Sequence, residues 1–156
     1  MNSFVVTAPA DTPAEEPIAN GTFWPEVDPV QVRVAQRIDD TITSTRLRNA
    51  LIEAIVSVNG ELAAWRAARE LEGRATMAAV PADEVDGASI LVHRYHRAVG
   101  CFAKASLIER YRDFDTTASG NKKADQLETP IDDHHRDARW AISDILGISR
   151  TTVELI

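Results

Sequence analysis

The chain's four histidines fall in two clusters of potential metal ligands. His93 and His96 are three residues apart, which on a helix puts both within reach of one ion. Asp132, Asp133, His134 and His135 follow one another within about one helical turn. Together these suggest a metal-dependent hydrolase. Helix geometry argues against it, because neighbours i and i+1 point in different directions and the four cannot converge on one ion. His135 also falls on an apolar stripe and reads as a hydrogen-bonded core or contact histidine. His93 and His96 read as solvated or as part of a subunit contact. The single cysteine, Cys101, has Lys104 nearby but no thiol-enzyme context, and reads as a buried small hydrophobe. There is no internal repeat, Gly-rich phosphate loop or zinc-type Cys/His spacing, so no cofactor is expected.

Lys104, Arg110, Arg112, Lys122 and Lys123 form the one basic concentration. A helical DNA-binding or regulatory module would use such a patch. Glu109, Asp113, Asp115 and Asp125 are interleaved with it and cancel most of its field. The chain's formal net charge is −7, a poor basis for phosphate-driven affinity. Of its 17 basic residues 14 are Arg, whose planar fork suits ion pairs between protein surfaces. Trp140 stands near the centre of a polar helix face among Asp133, Arg136, Asp137 and Asp144. Trp and Arg are enriched at interface hot spots, so Arg136, Arg139 and Trp140 are candidate contact residues.

The elements that carry these residues are helical. Residues 1–27 hold Pro9, Pro13, Pro17 and Pro25 and read as an extended, acidic N-terminal arm. Near its end Phe23 and Trp24 either anchor it under the domain or insert into a neighbour. Asp28-Pro29 is a helix start, with Val30, Val34 and Ile38 on one face. A long helix over Thr45–Leu71, capped by Thr43 or Ser44, carries the stripe Leu47, Leu51, Ala54, Ile55, Val58, Leu62 and Trp65. Ile52, Val56 and Ala63 form a shoulder beside it, readable as a wide core face or as a second packing surface, and Gly60 sits opposite the stripe. A third helix is expected over Gly87–Asp113, capped by Asp86, with Leu91, Tyr95, Ala98, Phe102 and Ala105 inward and His93, Arg97, Gly100 and Lys104 outward. A fourth, over Lys122–Leu146, is interrupted near Pro130 and stopped by Gly147. The tail 148–156 suits a strand: Val153, Leu155 and Ile156 have no obvious internal partner, which suggests strand addition to another protein. The fold class is all-α: a small bundle of about four helices, two of them long, over 28–147. No apolar run approaches the roughly 20 residues of a membrane span, and the N-terminus does not read as a signal peptide.

Six short motifs, in order, resemble one family. They are Phe23-x-Pro25-x-Val27-Asp28-Pro29, Arg46-Leu47-Arg48-x-Ala50, and Val80-Pro81-Ala82-Asp83 followed by Asp86-Gly87-x-Ser89-Ile90. The others are Ala105-Ser106-Leu107-x-Glu109-Arg110-Tyr111-Arg112, Gly120-x-Lys122-Lys123-Ala124-Asp125, and Arg136-Asp137-x-Arg139-Trp140-Ala141. From about residue 22 onward the chain is similar to the head completion proteins of temperate contractile-tailed phages. The resemblance implies a non-enzymatic virion protein at the head–tail junction. It implies a ring, twelve-fold to match the portal protein, that helps retain packaged DNA and offers a docking surface to a neck or tail terminator protein. DNA would pass through the channel without specific binding. Pro130 and the His134-His135 pair depart from the family pattern, so a continuous fourth helix is not expected.

Overall fold

The computed structural model describes residues 15–111 and 130–149. Expectations for residues 1–14, 112–129 and the tail 150–156, including Val153, Leu155 and Ile156, lie outside them. The described chain is mostly helical: α1 (Pro29–Ala35), α2 (Ser44–Glu61), α3 (Ala63–Leu71), α4 (Ile90–Tyr111) and α5 (Ile131–Leu146). A single 3-10 turn, Met77–Ala79, and a hairpin of two-residue strands, β1 (Glu84–Val85) and β2 (Ala88–Ser89), lie between α3 and α4.

Helix α4 is the centre. It packs against α2 on one side and α5 on the other, and α1 lies against it as well. Asn59, near the end of α2, meets Tyr95, near the start of α4. Arg94 meets Asp144 near the end of α5, and Glu109 meets His135 near its start. Both α2 and α5 therefore run antiparallel to α4 and parallel to each other. The expected outward face of α4 is only partly outward. Gly100 is buried, and a Cβ there would lie 3.1 Å from the Gln36 side chain. Cys101 and Ala103 are buried too. The small side chains Ala98, Gly100, Cys101, Ala103 and Ala105 let neighbouring elements approach α4 closely from several directions.

Local chemistry explains most element ends. The Asp28 carboxylate accepts from the Val30 N–H at 2.8 Å, and Pro29 opens α1. Thr43, of the two cap candidates, accepts from Arg46 N–H at the start of α2. Pro130 directly precedes α5, as a residue unable to continue a helix inward requires. Gly147 closes α5 in the left-handed region at φ 70°, letting the Ile148 N–H reach the Ser143 carbonyl.

Three expectations need correction. The long helix Thr45–Leu71 is two helices: Leu62 (φ −93°, ψ 4°) leaves helical geometry between α2 and α3. Gly60, two residues earlier, weakens the helix there, and the Leu62 side chain is fully buried. Asp86 does not cap α4. Asp86-Gly87 is a hairpin turn with both residues at positive φ (51° and 71°), the sequence and geometry a type I′ turn prefers. The helix starts at Ile90, where the Ser89 hydroxyl accepts from Leu91 N–H. α1 ends at Ala35 rather than Ile38, because Arg37 turns to φ 50°. Ile38 is nevertheless buried.

Residues 15–27 are non-helical and, contrary to the expected extended arm, fold back on themselves through a turn at 21–24, with their apolar side chains in the core. Ile18 and Val27 pair backbone to backbone, at 2.7 and 3.1 Å, and both are buried with Phe23 and Trp24. Trp24 stacks on Tyr95 with centroids 5.4 Å apart, and Phe23 meets Trp65 edge-on at 6.0 Å. Beneath them a closed cycle of hydrogen bonds joins three distant segments. Asn20 Nδ2 donates to Tyr95 Oη (2.6 Å), Tyr95 Oη to Asn59 Oδ1 (2.7 Å), and Asn59 Nδ2 to Asn20 Oδ1 (2.9 Å). Farther along, Arg33 pairs with Glu15 and donates to the Asp39 and Ile42 carbonyls, while Arg48 donates to the Glu16 carbonyl. The bond from Arg33 holds the Glu15 carboxyl below its ordinary range.

Two outcomes are expected. Tyr95→Phe leaves the Asn59 carbonyl oxygen without its donor and should cost about 1–3 kcal/mol at neutral pH, measured by urea unfolding. Burial pushes the Tyr95 phenol up to about 12. The folded chain thus stays protonated where the unfolded chain, with a pKa near 10, does not. This contribution is intact below pH 10 and is lost as pH rises toward 12, so the parent's advantage over Tyr95→Phe should shrink across that window. At Gly60 a Cβ would meet nothing within 4 Å. Gly60→Ala should therefore stabilise the isolated domain, by up to about 1 kcal/mol of helix propensity, seen as a higher unfolding midpoint.

Candidate interaction surfaces

Of the candidate contact residues, Phe23 and Trp24 are committed to this chain's own core, at 1% and 7% exposure. They offer no surface to a neighbour, and anchoring is the reading their packing matches. Ile52 and Val56 are on the outer face of α2, 40% and 63% exposed. Gly60 continues the same line at the next four-residue step, with open space above it. The shoulder is therefore not an extension of the core face, which is Leu47, Leu51, Ala54, Ile55 and Val58.

On α5 the inward stripe is Ala138, Ala141, Ile142 and Ile145. Trp140 points away from it, 37% exposed, with the Arg136 guanidinium 4.8 Å from its ring centroid. Arg136 also pairs with Asp133 and Asp137. Asp137 in turn binds Arg97 of α4 at 3.0 Å. Burial pushes the Asp137 carboxyl up, and the two guanidiniums more than offset it, so it lies below its ordinary range. A charge-paired edge thus frames the indole. Arg139 is exposed on the side of α5 facing α2.

Because α2 and α5 flank α4, a groove of about 470 Å³ opens between them. Phe102 and Ser106 of α4 line it with Ala50, Ala54 and Ser57; Glu53 and Glu61 border the α2 side, His135 and Arg139 the α5 side. His135 Nε2 donates to the Glu109 carboxylate at 3.1 Å and its ring lies 5.9 Å from the Phe102 ring, so it ties α5 to α4.

The other chemistry-bearing residues have structural partners. The His93 Nε2 is 2.8 Å from the Val85 carbonyl, which ties α4 to the hairpin. The His96 Nε2 is 2.9 Å from the Glu26 carbonyl, which ties α4 to the segment 15–27. Among the described residues no three His, Cys, Asp or Glu side chains are grouped to hold a metal ion. Cys101 is buried, and that burial pushes its thiol up, away from a reactive thiolate. Among the described residues no helix is long and apolar enough to cross a membrane.

Sequence reasoning missed the Asn20–Asn59–Tyr95 cycle and the groove. Asn20 and Asn59 have no local signature, and Asn20 is 75 residues from Tyr95. The groove has a faint one: Ala50, Ala54 and Ser57 make that side of α2 too small to close against α5.

Comparison with known proteins agrees with a structural rather than a catalytic surface. The chain is 42% identical over 153 residues to the head completion/stabilization protein of Escherichia phage P2, covering 97% of this chain and 89% of that protein. No solved structure matches it. Residues 18–156 match the phage head completion protein family, and the chain belongs to that family.

Proposed function

We propose that this chain is a head–tail adaptor: copies form a ring under the portal, help retain packaged DNA, and provide the surface on which neck or tail proteins dock. A structural head completion role follows from family membership. The ring, its partners and its place in the virion are what the family resemblance implies, and the layout of the chain is compatible with them.

The observation that carries this reading is that the described chain is two-ended. Residues 15 and 16 are tied down beside α1 and the start of α2 by Arg33 and Arg48. Because α2 is antiparallel to α4, that point lies toward the C-terminal half of α4. The other end leaves after Gly147, where Asp144 meets Arg94 in the first turns of α4. Helix α4 has 22 residues, about 33 Å at 1.5 Å per residue. The described chain therefore begins near one end of α4 and finishes near the other. An adaptor between two larger assemblies needs that layout. Its sides also differ, with an apolar strip on α2 and a Trp–Arg edge on α5, and a ring with head-to-tail contacts needs two unlike faces. The net charge of −7 suits a channel that DNA passes without adhering.

Deleting Thr151–Ile156 should leave the helical domain folded, with unchanged circular dichroism, but impair its attachment to portal-bearing heads, read by co-sedimentation. A truncated chain that binds heads like the full one would contradict strand addition by the tail.

A further inference from the structure

The strip on α2 and the Trp140 edge on α5 carry charges in matching register. On α2, Arg46 and Glu53 flank the strip seven residues apart; on α5, Asp132 and Arg139 flank the edge seven residues apart, in the opposite sign order. Glu53 and Arg139 stand on the groove-side rims of the two helices, both are exposed, and neither makes an ion pair within the described residues. Laid parallel, the two helices bring Arg46 level with Asp132 and Glu53 level with Arg139. Laid antiparallel, they oppose like charges at both levels.

We propose that these two surfaces are the halves of one contact between copies of this chain: the outer face of α2 in one copy against the outer face of α5 in the next. The contact rests on the ring arrangement proposed above. Rotation about an axis running along the helices keeps their direction. Since α2 and α5 are parallel within one copy, α2 of one copy meets α5 of its neighbour in parallel, the orientation the charges require. The apolar content fits as well. Ile52 and Val56 are exposed on one side, and Trp140 is partly exposed on the other. Gly60 gives the indole room to approach the α2 backbone. Gly100 provides the contrast: the Gln36 side chain occupies the space of its missing Cβ, whereas at Gly60 no described residue comes within 4 Å of that position.

The test uses two full-length variants, Glu53→Arg and Arg139→Glu, each alone and mixed one to one, with association read by analytical ultracentrifugation and folding by circular dichroism. Each variant alone places like charges across every contact and should associate at least about tenfold more weakly than the parent chain. In the mixture a contact between the two different variants again joins opposite charges. The new arginine on α2 of the first variant meets the native Arg139 only when both copies are the same variant. Where α2 of the Glu53→Arg chain meets α5 of the Arg139→Glu chain, arginine faces glutamate. Where α2 of the Arg139→Glu chain meets α5 of the Glu53→Arg chain, the native Glu53 and Arg139 face each other. Alternating copies therefore have opposite charges at every contact, and association should return. A pairing across the groove inside one chain cannot produce that rescue. If either variant alone associates like the parent, as Arg139→Glu would in a two-fold α2–α2 dimer, or if the mixture stays dissociated, the contact is wrong. A parent chain that associates while the mixture does not removes this contact and leaves the ring reading standing. A parent chain that is monomeric in solution and present as a single copy on purified heads overturns both.

Discussion

Helix α4 is enclosed by α1, α2, α5 and the segment 15–27, and this enclosure sets the position of every surface the domain presents. A helix of 22 residues cannot be buried on several sides by bulky neighbours unless parts of it are small. Gly100, Ala103 and Ala105 supply that, and all three are buried. Burying α4 in turn uses up the inner stripes of α2 and α5 on either side of it. What those two helices then leave exposed is an apolar strip on α2 and an arginine-framed, partly exposed indole on α5.

The hydrogen-bond cycle of Asn20, Asn59 and Tyr95 holds the segment 15–27 in this arrangement. Within the cycle each side chain gives one bond and receives one, Asn20 donates a second to the Pro25 carbonyl, and none of these side-chain nitrogen or oxygen atoms is buried without a partner. Trp24 stacks over Tyr95 and Phe23 packs on Trp65, so residues 18–27 contribute to the core as a helix would. That anchorage uses residues of α2, α3 and α4 and none of α5. The chain can therefore commit its N-terminal aromatics to stability and leave its α5 surface to a partner.

How much of this could be read in the residues depends on range. Local signals translated directly: Asp28-Pro29, Thr43, Pro130 and Gly147 each mark a helix end that the structure has. The stripe at helical spacing identified the inner face of α2. Two local signals belong to a different element from the one expected: Asp86-Gly87 works as a hairpin turn, and Gly60 precedes a helix break. Long-range features were less legible. Nothing near Asn20 or Asn59 announces a buried amide. Gly100 reads as part of an outer face because the element that covers it, around Gln36, is not its neighbour in sequence. Among the contact candidates, Ile52, Val56 and Trp140 were visible as apolar residues off the core stripe. The anchoring of Phe23 and Trp24 was one of two readings, and only their packing separates them.

The head completion family gives the chain its general role, and the two-ended helical rod suggests how it performs it. An adaptor ring requires many identical copies around the channel, arranged with the rotational symmetry of the portal. The most direct measurement is electron microscopy of DNA-filled heads carrying this protein, without imposed symmetry. The account predicts a closed ring of copies directly under the portal, with their α4 axes roughly along the channel and their opposite ends facing the portal and the neck. A single copy, or copies scattered on the outer shell away from the portal, would contradict it.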